Sequence, residues 1–292
     1  MRRRAWLRTA LAFARPSGHI AAMADALRIA PLESRALIAI DGPEWRPFLQ
    51  GLVTQDVETL APGEARFGAL LTPQGRLGFD LFVVGREEGC WLDCAAARRG
   101  ALVQRLAIYR LRAKVGIADD GAPICAAWDG APGEAGWIPD PRLSELGWRG
   151  YGVSPPSSAT EADYEAHRLA LGVPGSGDWG EDDTFPLEAD FDLLGGVDFR
   201  KGCFVGQETT SRMKRRGTIK TRMMPITFEG PAPEPGAELL AGRLRAGEAL
   251  SGRDGRSMAL VRLDRLDAGP RTLPDGRPWR PDPPQWLRSA LA

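Results

Sequence analysis

Phe199-Arg200-Lys201-Gly202-Cys203-Phe204-Val205-Gly206-Gln207-Glu208 is the stretch on which the reading of this chain turns. It sets a cysteine between a glycine and an aromatic residue, just ahead of Thr209 to Arg216, a polar run compatible with helix. A loop entering a helix there would bring Cys203 near unpaired N–H groups and the positive end of the helix dipole, which favour a thiolate. Lys201 adds a positive charge that acts in the same direction. Gly202 and Gly206 let the backbone approach a ligand or adopt positive φ. From residue types alone, a cysteine buried beside a tight turn fits equally well, and both readings stand at this point.

Upstream of this stretch the pattern is mixed α and β. Ala36 to Ile40, followed by Asp41-Gly42-Pro43, reads as a buried strand ending in a turn. Trp45, Phe48, Leu49, Leu52 and Val53 recur at three- and four-residue spacing, the stripe of an amphipathic helix. Arg66 to Leu71, Leu77 to Val84 and Gly89 to Ala95 are strand-like, the first two joined by the turn Thr72-Pro73-Gln74-Gly75. A helix from about Ala96 to Leu111 and a strand from Lys114 to Ala118 follow. Residues 119–160, rich in Gly, Pro and Asp, read as an irregular connection before a helix at Glu161 to Leu171. Downstream, Met223 to Phe228, Glu238 to Leu240, Gly247 to Ser251 and Ser257 to Leu263 are short strands between Gly/Pro turns, the texture of a small barrel or sandwich. The proline-rich Pro270 to Pro284 suits neither helix nor central strand, with Trp279 and Trp286 as residues that could pin it to the body. The fold class is α+β, divided as an extension over 1–25, a main region over 26–216, a β-barrel-like domain over 217–269 and a tail over 270–292.

Composition narrows the function. The 292 residues carry 38 Lys+Arg against 38 Asp+Glu and are 43% hydrophobic, enough for a sizeable core. The longest uninterrupted aliphatic stretch, Ala36 to Ile40, falls far short of the ~20 residues that span a bilayer, which argues against a membrane protein. Net neutrality argues against a dedicated nucleic-acid binder. Only two histidines occur, His19 and His167, so neither a histidine base nor a histidine-rich metal site is expected. The cysteines Cys90, Cys94, Cys125 and Cys203 match neither paired zinc motifs nor a disulfide framework. Cys90 and Cys94 fall on one strand face, where apolar packing is the favoured role. Free thiols in a reducing compartment follow. Residues 1–25 hold Arg2, Arg3, Arg4, Arg8 and Arg15 with no acid before Asp25. That is the composition of a mitochondrial transit peptide or, the favoured reading, of a disordered or mis-started extension with Met23 as the start.

With these residues in view, the central stretch resembles the Lys-Gly-Cys-aromatic-x-Gly-Gln-Glu signature of the YgfZ-type folate-binding proteins, Phe204 filling the aromatic place. Phe48 to Val57 (FLQGLVTQDV) resembles that family's N-terminal helix pattern, Pro73 to Arg76 its β-turn, Tyr109 to Val115 its helix-to-strand passage, and Pro186 to Asp190 the segment before the cysteine motif. These landmarks stand in family order over roughly residues 30–265, and together they are specific. The family is related to the aminomethyltransferase of the glycine cleavage system. The resemblance implies an aminomethyltransferase-like folate-binding fold, with ring-like subdomains around a central channel and a C-terminal small β-barrel. It implies a folate-binding accessory factor that assembles or repairs iron–sulfur proteins, tRNA-modifying enzymes among its indirect beneficiaries. The expected cofactor is tetrahydrofolate or a one-carbon derivative, and the expected partners are iron–sulfur client proteins or cluster carriers. The compartment would be the cytoplasm, or the mitochondrial matrix in a eukaryote.

The same resemblance assigns roles. Cys203 and Lys201 become the reactive pair. Glu188, matching the glutamate with which the transferase relatives hold the pterin, becomes the main folate ligand, since a carboxylate can accept both adjacent N–H donors of that ring. Gly202, Gly206, Gln207 and Glu208 join it as cofactor-binding candidates. Asp80 either faces the folate or is an outward polar residue on an alternating strand. The transferase's paired acidic turn is here Gly78-Phe79-Asp80, one carboxylate short, which favours an accessory factor over the alternative, a folate-dependent one-carbon transferase. Arg200, Lys201, Arg212, Lys214, Arg215, Arg216, Lys220 and Arg222 form a basic cluster with Glu208 the only acid in its span. A polyglutamylated folate tail, an acidic protein or tRNA could use it, and a solvated face is the plainer reading. No resident metal site is expected.

Overall fold

The computed structural model describes residues 27–291 except 134, 181 and 218. The arginine-rich leader, with His19 and Met23, lies outside the described residues. In chain order the first part holds β1 (Arg28–Pro31), β2 (Arg35–Asp41), α1 (Trp45–Gln50), β3 (Ala65–Leu71), β4 (Leu77–Gly85), β5 (Cys90–Ala95), α2 (Arg99–Arg110) and β6 (Gly116–Asp120). Next come β7 (Ile124–Trp128), β8 (Trp137–Pro139), β9 (Trp148–Tyr151), α3 (Glu161–Ala170) and α4 (Gln207–Arg216). The last part holds β10 (Thr221–Phe228), β11 (Glu238–Ala241), β12 (Leu244–Arg253), β13 (Arg256–Arg262), β14 (Arg271–Thr272), β15 (Trp279–Pro281) and α5 (Gln285–Leu291).

Strand periodicity decides which side chains meet. The five-stranded sheet, ordered β3-β4-β5-β2-β6, is antiparallel throughout. Alternation sends Ile38, Ile40, Leu81, Val83, Cys90, Leu92 and Cys94 to one face, where α1 and α2 cover them with Trp45, Leu49, Leu102 and Leu106. Leu37, Phe67, Phe82 and Val84 point to the other face and join the central core. By the same period-2 rule Arg35, Asp80 and Asp93 point to that inner side as well.

The central core is shared. It joins the inner face of the five-stranded sheet to Ala126 and Trp128 of a second sheet, Tyr164 and Leu169 of α3, and Met223 and Met258 of the C-terminal strands. The second sheet, β1-β7-β9-β8, occupies most of the region expected to be an irregular connection. That expectation is corrected for a physical reason. β7 (ICAAW) is buried along its whole length, so it shows no polar–apolar alternation, and the other strands of its sheet are only three or four residues long. α3 starts where expected, under a capping box between Thr160 and Asp163.

The C-terminal sheet runs β14-β11-β12-β13-β10-β15. An isolated bridge between Thr272 and Pro278 ties its two edges, leaving a nearly closed barrel filled by Met224, Ile226, Leu239, Trp279 and Leu287. The proline-rich segment therefore supplies both edge strands of the barrel, where a missing N–H is tolerated. It is part of that sheet rather than a tail beside it.

Candidate functional site

The cysteine stretch is pinned on both sides of Cys203. Lys201 Nζ donates to the backbone carbonyls of Gln50, Val53 and Gln55 at 2.8, 2.7 and 2.8 Å, which engages all three of its donors. Burial lowers this ammonium to about 8, while Asp56 pulls it back up. Phe204, on the other side, is buried in the central core with its ring 5.4 Å from Lys201 Nζ. Gly206 then takes a left-handed conformation (φ 78°) as the residue that caps α4. A Cβ at Gly206 would stand 2.6 Å from the Thr72 carbonyl oxygen and 2.9 Å from the Gly75 Cα, so this glycine lets the helix start sit directly on the β3–β4 turn. Between these anchors the Cys203 side chain is left exposed.

The other three cysteines are buried. Burial pushes the Cys94 thiol up to about 12 and raises those of Cys90 and Cys125 as well. The reading of Cys203 as a cysteine buried at a turn is thus overturned. The reason given for its activation is corrected too. Lys201 is an anchor whose charge is directed at carbonyls, and α4 begins at Gln207, four residues beyond the thiol.

The two longest motifs quoted from the sequence dock against each other. Besides the Lys201 contacts, Thr54 Oγ1 donates to the Gly196 carbonyl at 2.6 Å and Gln55 Nε2 to the Gly195 carbonyl at 2.6 Å. The FLQGLVTQDV segment is therefore the cradle of the cysteine loop.

A second feature lies on the inner face of the five-stranded sheet. A cavity of about 590 Å³ is lined by Phe67, Phe82, Tyr164 and Trp179 and by charged side chains that include Arg35, Asp80, Arg142, Arg149 and Arg168. Its volume is in the range of small-molecule sites. Asp93, fully buried behind it, accepts from Arg35 Nε at 2.7 Å, Arg149 Nη2 at 2.6 Å and Tyr151 Oη at 3.0 Å. Asp140 holds Arg142 through two bonds of 3.0 and 2.7 Å and lies 3.7 Å from Arg149. Burial alone would raise both carboxyls, but the facing arginines outweigh it and hold Asp93 and Asp140 below the usual carboxylate range. Arg149 stacks on the Phe82 ring at 4.0 Å. The sequence reading missed this network. Its one legible signal was a charge inside each apolar strand, Asp80 in LGFDLFVVG and Asp93 in CWLDCA.

Of the candidate folate ligands, only Asp80 is on the cavity wall. Its Oδ2 accepts from Arg35 Nη1 at 2.9 Å and Ser176 Oγ at 2.8 Å, so the outward-facing alternative for this residue is excluded. Glu188 does not line the cavity. One of its oxygens accepts the Phe185 N–H at 3.0 Å, closing a local turn, and burial raises its carboxyl. Gly202, Gly206, Gln207 and Glu208 are at the start of α4, also off this wall. Asp190 and Arg222 pair at 2.7 Å, tying the segment after Glu188 to the barrel.

Comparison with known proteins agrees with this architecture. The family description "CAF17, C-terminal beta-barrel domain" matches residues 220–289. The human mitochondrial iron–sulfur cluster assembly factor IBA57 is 32% identical over 264 residues, covering 74% of this chain and 74% of that protein. This chain belongs to the IBA57 family of iron–sulfur cluster assembly factors. The mouse protein of the same name is 30% identical over 284 residues, covering 80% of this chain and 77% of its own length. The sequence resemblance pointed to the YgfZ-type relatives, whereas the family shown is the IBA57 one. Among solved structures, the glycine cleavage system aminomethyltransferase T from Bartonella henselae superposes with a TM-score of 0.71 over 89% of this chain and 86% of that one. At 16% identity that likeness establishes the aminomethyltransferase-like fold alone. Among the described residues no helix is long and apolar enough to cross a membrane.

Proposed function

We propose that this protein serves iron–sulfur cluster assembly, as its relatives' names state for them, by presenting the Cys203 thiolate as one ligand to a cluster held jointly with another protein. The observation that carries this reading is the exposure of Cys203 between the half-buried anchor Lys201 and the buried Phe204, against three buried thiols elsewhere. Thiolate is the soft ligand that iron–sulfur clusters use, usually four to a cluster. Among the described residues no group of three or more His, Cys, Asp and Glu side chains could hold a metal ion. A single thiolate here therefore needs its companions from a second molecule, which suits transfer of a cluster as cargo. The free thiols suit a reducing compartment, the mitochondrial matrix where the source cell has one.

The test is rescue. In a strain lacking the native protein, Cys203→Ser should fold normally and fail to restore iron–sulfur enzyme activity, because a serine oxygen is a poor soft-metal ligand. Full rescue by Cys203→Ser would end this reading.

The cavity supports a second reading, that it holds a reduced folate. Phe67, Phe82 and Trp179 offer faces for a ring, and Asp80, whose bonds to Arg35 and Ser176 both fall on Oδ2, keeps Oδ1 for a ring N–H. Bound there, the folate would supply a carrier for a one-carbon unit, and Asp80 rather than Glu188 would orient it. Calorimetric titration with tetrahydrofolate checks this: Asp80→Asn should weaken binding and Glu188→Gln should leave it unchanged. Efficient formation of methylene-tetrahydrofolate from an aminomethyl-lipoyl carrier would instead favour the transferase alternative.

A further inference from the structure

The C-terminal corner of α2 carries two large apolar side chains that no part of the described chain covers. Ile108 is 67% exposed and Leu111 87%. Scattered exposed apolar residues are ordinary. Leu111 is not ordinary, because its backbone is at φ 43°, ψ −106°, a conformation that crowds any residue with a Cβ. The fold thus holds a leucine in a strained turn and gains no burial from it, which is the arrangement expected where a side chain is kept for something outside the fold.

Beside this corner runs a groove of about 290 Å³ between α2 and the β3–β4 hairpin, with Leu70, Phe79, Arg105 and Ile108 among its walls. Its far edge is formed by Leu71 and Thr72, the same residues on which Gly206 packs at the foot of the cysteine loop. Val205, two residues from Cys203, packs on the same apolar cluster to which Leu102 and Leu106 of α2 belong. The groove therefore connects the α2 corner to the cysteine loop along one side of the molecule.

Asp182 stands on the groove wall opposite α2, and Glu44 accepts the Lys114 backbone N–H, but along α2 itself the charge is one-sided. From Cys94 to Ala118 the chain has six cations, Arg98, Arg99, Arg105, Arg110, Arg112 and Lys114, and no acid. Arg99 is paired with Asp119 at 3.3 Å and Arg98 lies over the Phe79 ring at 4.7 Å. Among the described residues, the side chains of Arg105, Arg110, Arg112 and Lys114 have no ion-pair partner. In a chain whose net charge is zero, four unpaired cations around two exposed apolar residues make a patch complementary to an acidic surface with an apolar centre.

We propose that the Ile108–Leu111 corner and the adjoining groove dock an acidic protein partner, the one that meets Cys203 across the hairpin. The proposal rests on the reading of Cys203 only for what the partner brings, and the docking itself can be tested separately. Leu111 is replaced by the photo-crosslinker p-benzoylphenylalanine in the full chain, in its own cells, and the irradiated product is identified by mass spectrometry. The expected product is a single protein of acidic isoelectric point with cluster-ligating cysteines. The crosslink should be lost in an Arg110→Glu/Arg112→Glu variant and kept in Cys203→Ser. With the identified partner purified, affinity should fall on the order of tenfold between low and physiological salt, as steering by exposed charge requires. No crosslink, a crosslink to RNA, lipid or a second copy of this chain, or survival of the crosslink after charge reversal would each overturn the proposal. If charge reversal abolishes the crosslink while Cys203→Ser still rescues, the docking face stands and the cysteine reading falls. If charge-reversed protein neither loses the crosslink nor fails in rescue, while Cys203→Ser fails, the cysteine stands without this face.

Discussion

The cysteine loop and the charged cavity solve opposite problems with the same residue types. In the loop, a half-buried cation is tied down so that a nearby thiol can be exposed: Lys201 caps three carbonyls and Cys203 faces solvent. In the cavity, cations are held by buried carboxylates, with Asp93 at zero exposure between Arg35 and Arg149. The loop comes from two sequence segments, each of which carries a recognisable pattern. The cavity comes from at least five, β2, β4, β5, β9 and α3, none of which shows its role alone. The difference teaches that a reactive group is displayed by local anchoring, whereas a charged wall is an agreement among distant strands.

That contrast can be broken by mutation. The largest effect is expected at Asp93. Asp93→Asn takes the shared carboxylate from two guanidiniums, leaving Arg35 to Asp80 and Arg149 to Asp140 at 3.7 Å, and should destabilise the protein by about 3–5 kcal/mol in chemical denaturation. A loss smaller than that of an exposed ion pair would show the network to be dispensable. Lys201→Met should come next, at about 1–3 kcal/mol, because three carbonyls at the loop base lose their donor. It should also make the loop backbone exchange its amide hydrogens faster, with the cavity strands unaffected.

The two regions should separate under acid as well. Asp93 and Asp140 have folded-state values below the ordinary range, where the arginines outweigh burial. A depressed carboxyl contributes stability that is complete above its unfolded value, about 3.9, and lost as pH falls through the folded one. The melting temperature of the wild type should therefore decline below about pH 4, and Asp93→Asn should show a shallower decline. Equal slopes would place the acid sensitivity elsewhere. The smallest stability effect belongs to Cys203→Ser, within about 0.5 kcal/mol, since an exposed side chain is exchanged for one of similar shape. In the wild type, Cys203 should be the first of the four cysteines alkylated. A buried thiol reacting as fast would erase the contrast on which the functional reading stands.

Most of the fold was legible in the sequence where one face of an element is buried and the other is not. The strands at Ala36, Leu77 and Gly89 and the helix at Glu161 announced themselves by period and by caps. The β7 sheet did not, because a strand buried on both faces shows no alternation. The proline-rich segment misled for a related reason: proline excludes a central strand, yet an edge strand needs only half its N–H groups. The same division runs through the site. The Lys-Gly-Cys-aromatic motif was readable, and its exposure was not.

What the sequence determined by itself is which residues are uncommon in their setting: a cysteine among glycines, aspartates inside apolar strands, a basic run without an acid. What only the tertiary structure decided is where each one points. Lys201 looked like a partner for Cys203 because the two are adjacent in the chain, yet its ammonium is bound to carbonyls nearly 150 residues earlier. Glu188 looked like the carboxylate of the folate site, yet of the two candidate carboxylates only Asp80 lines the cavity. The physical reason is the same in both cases. Residue type sets what bonds a side chain can make, but burial removes water as the default partner, and the partner that replaces it is supplied by whichever distant segment the packing of the sheets brings within 3 Å.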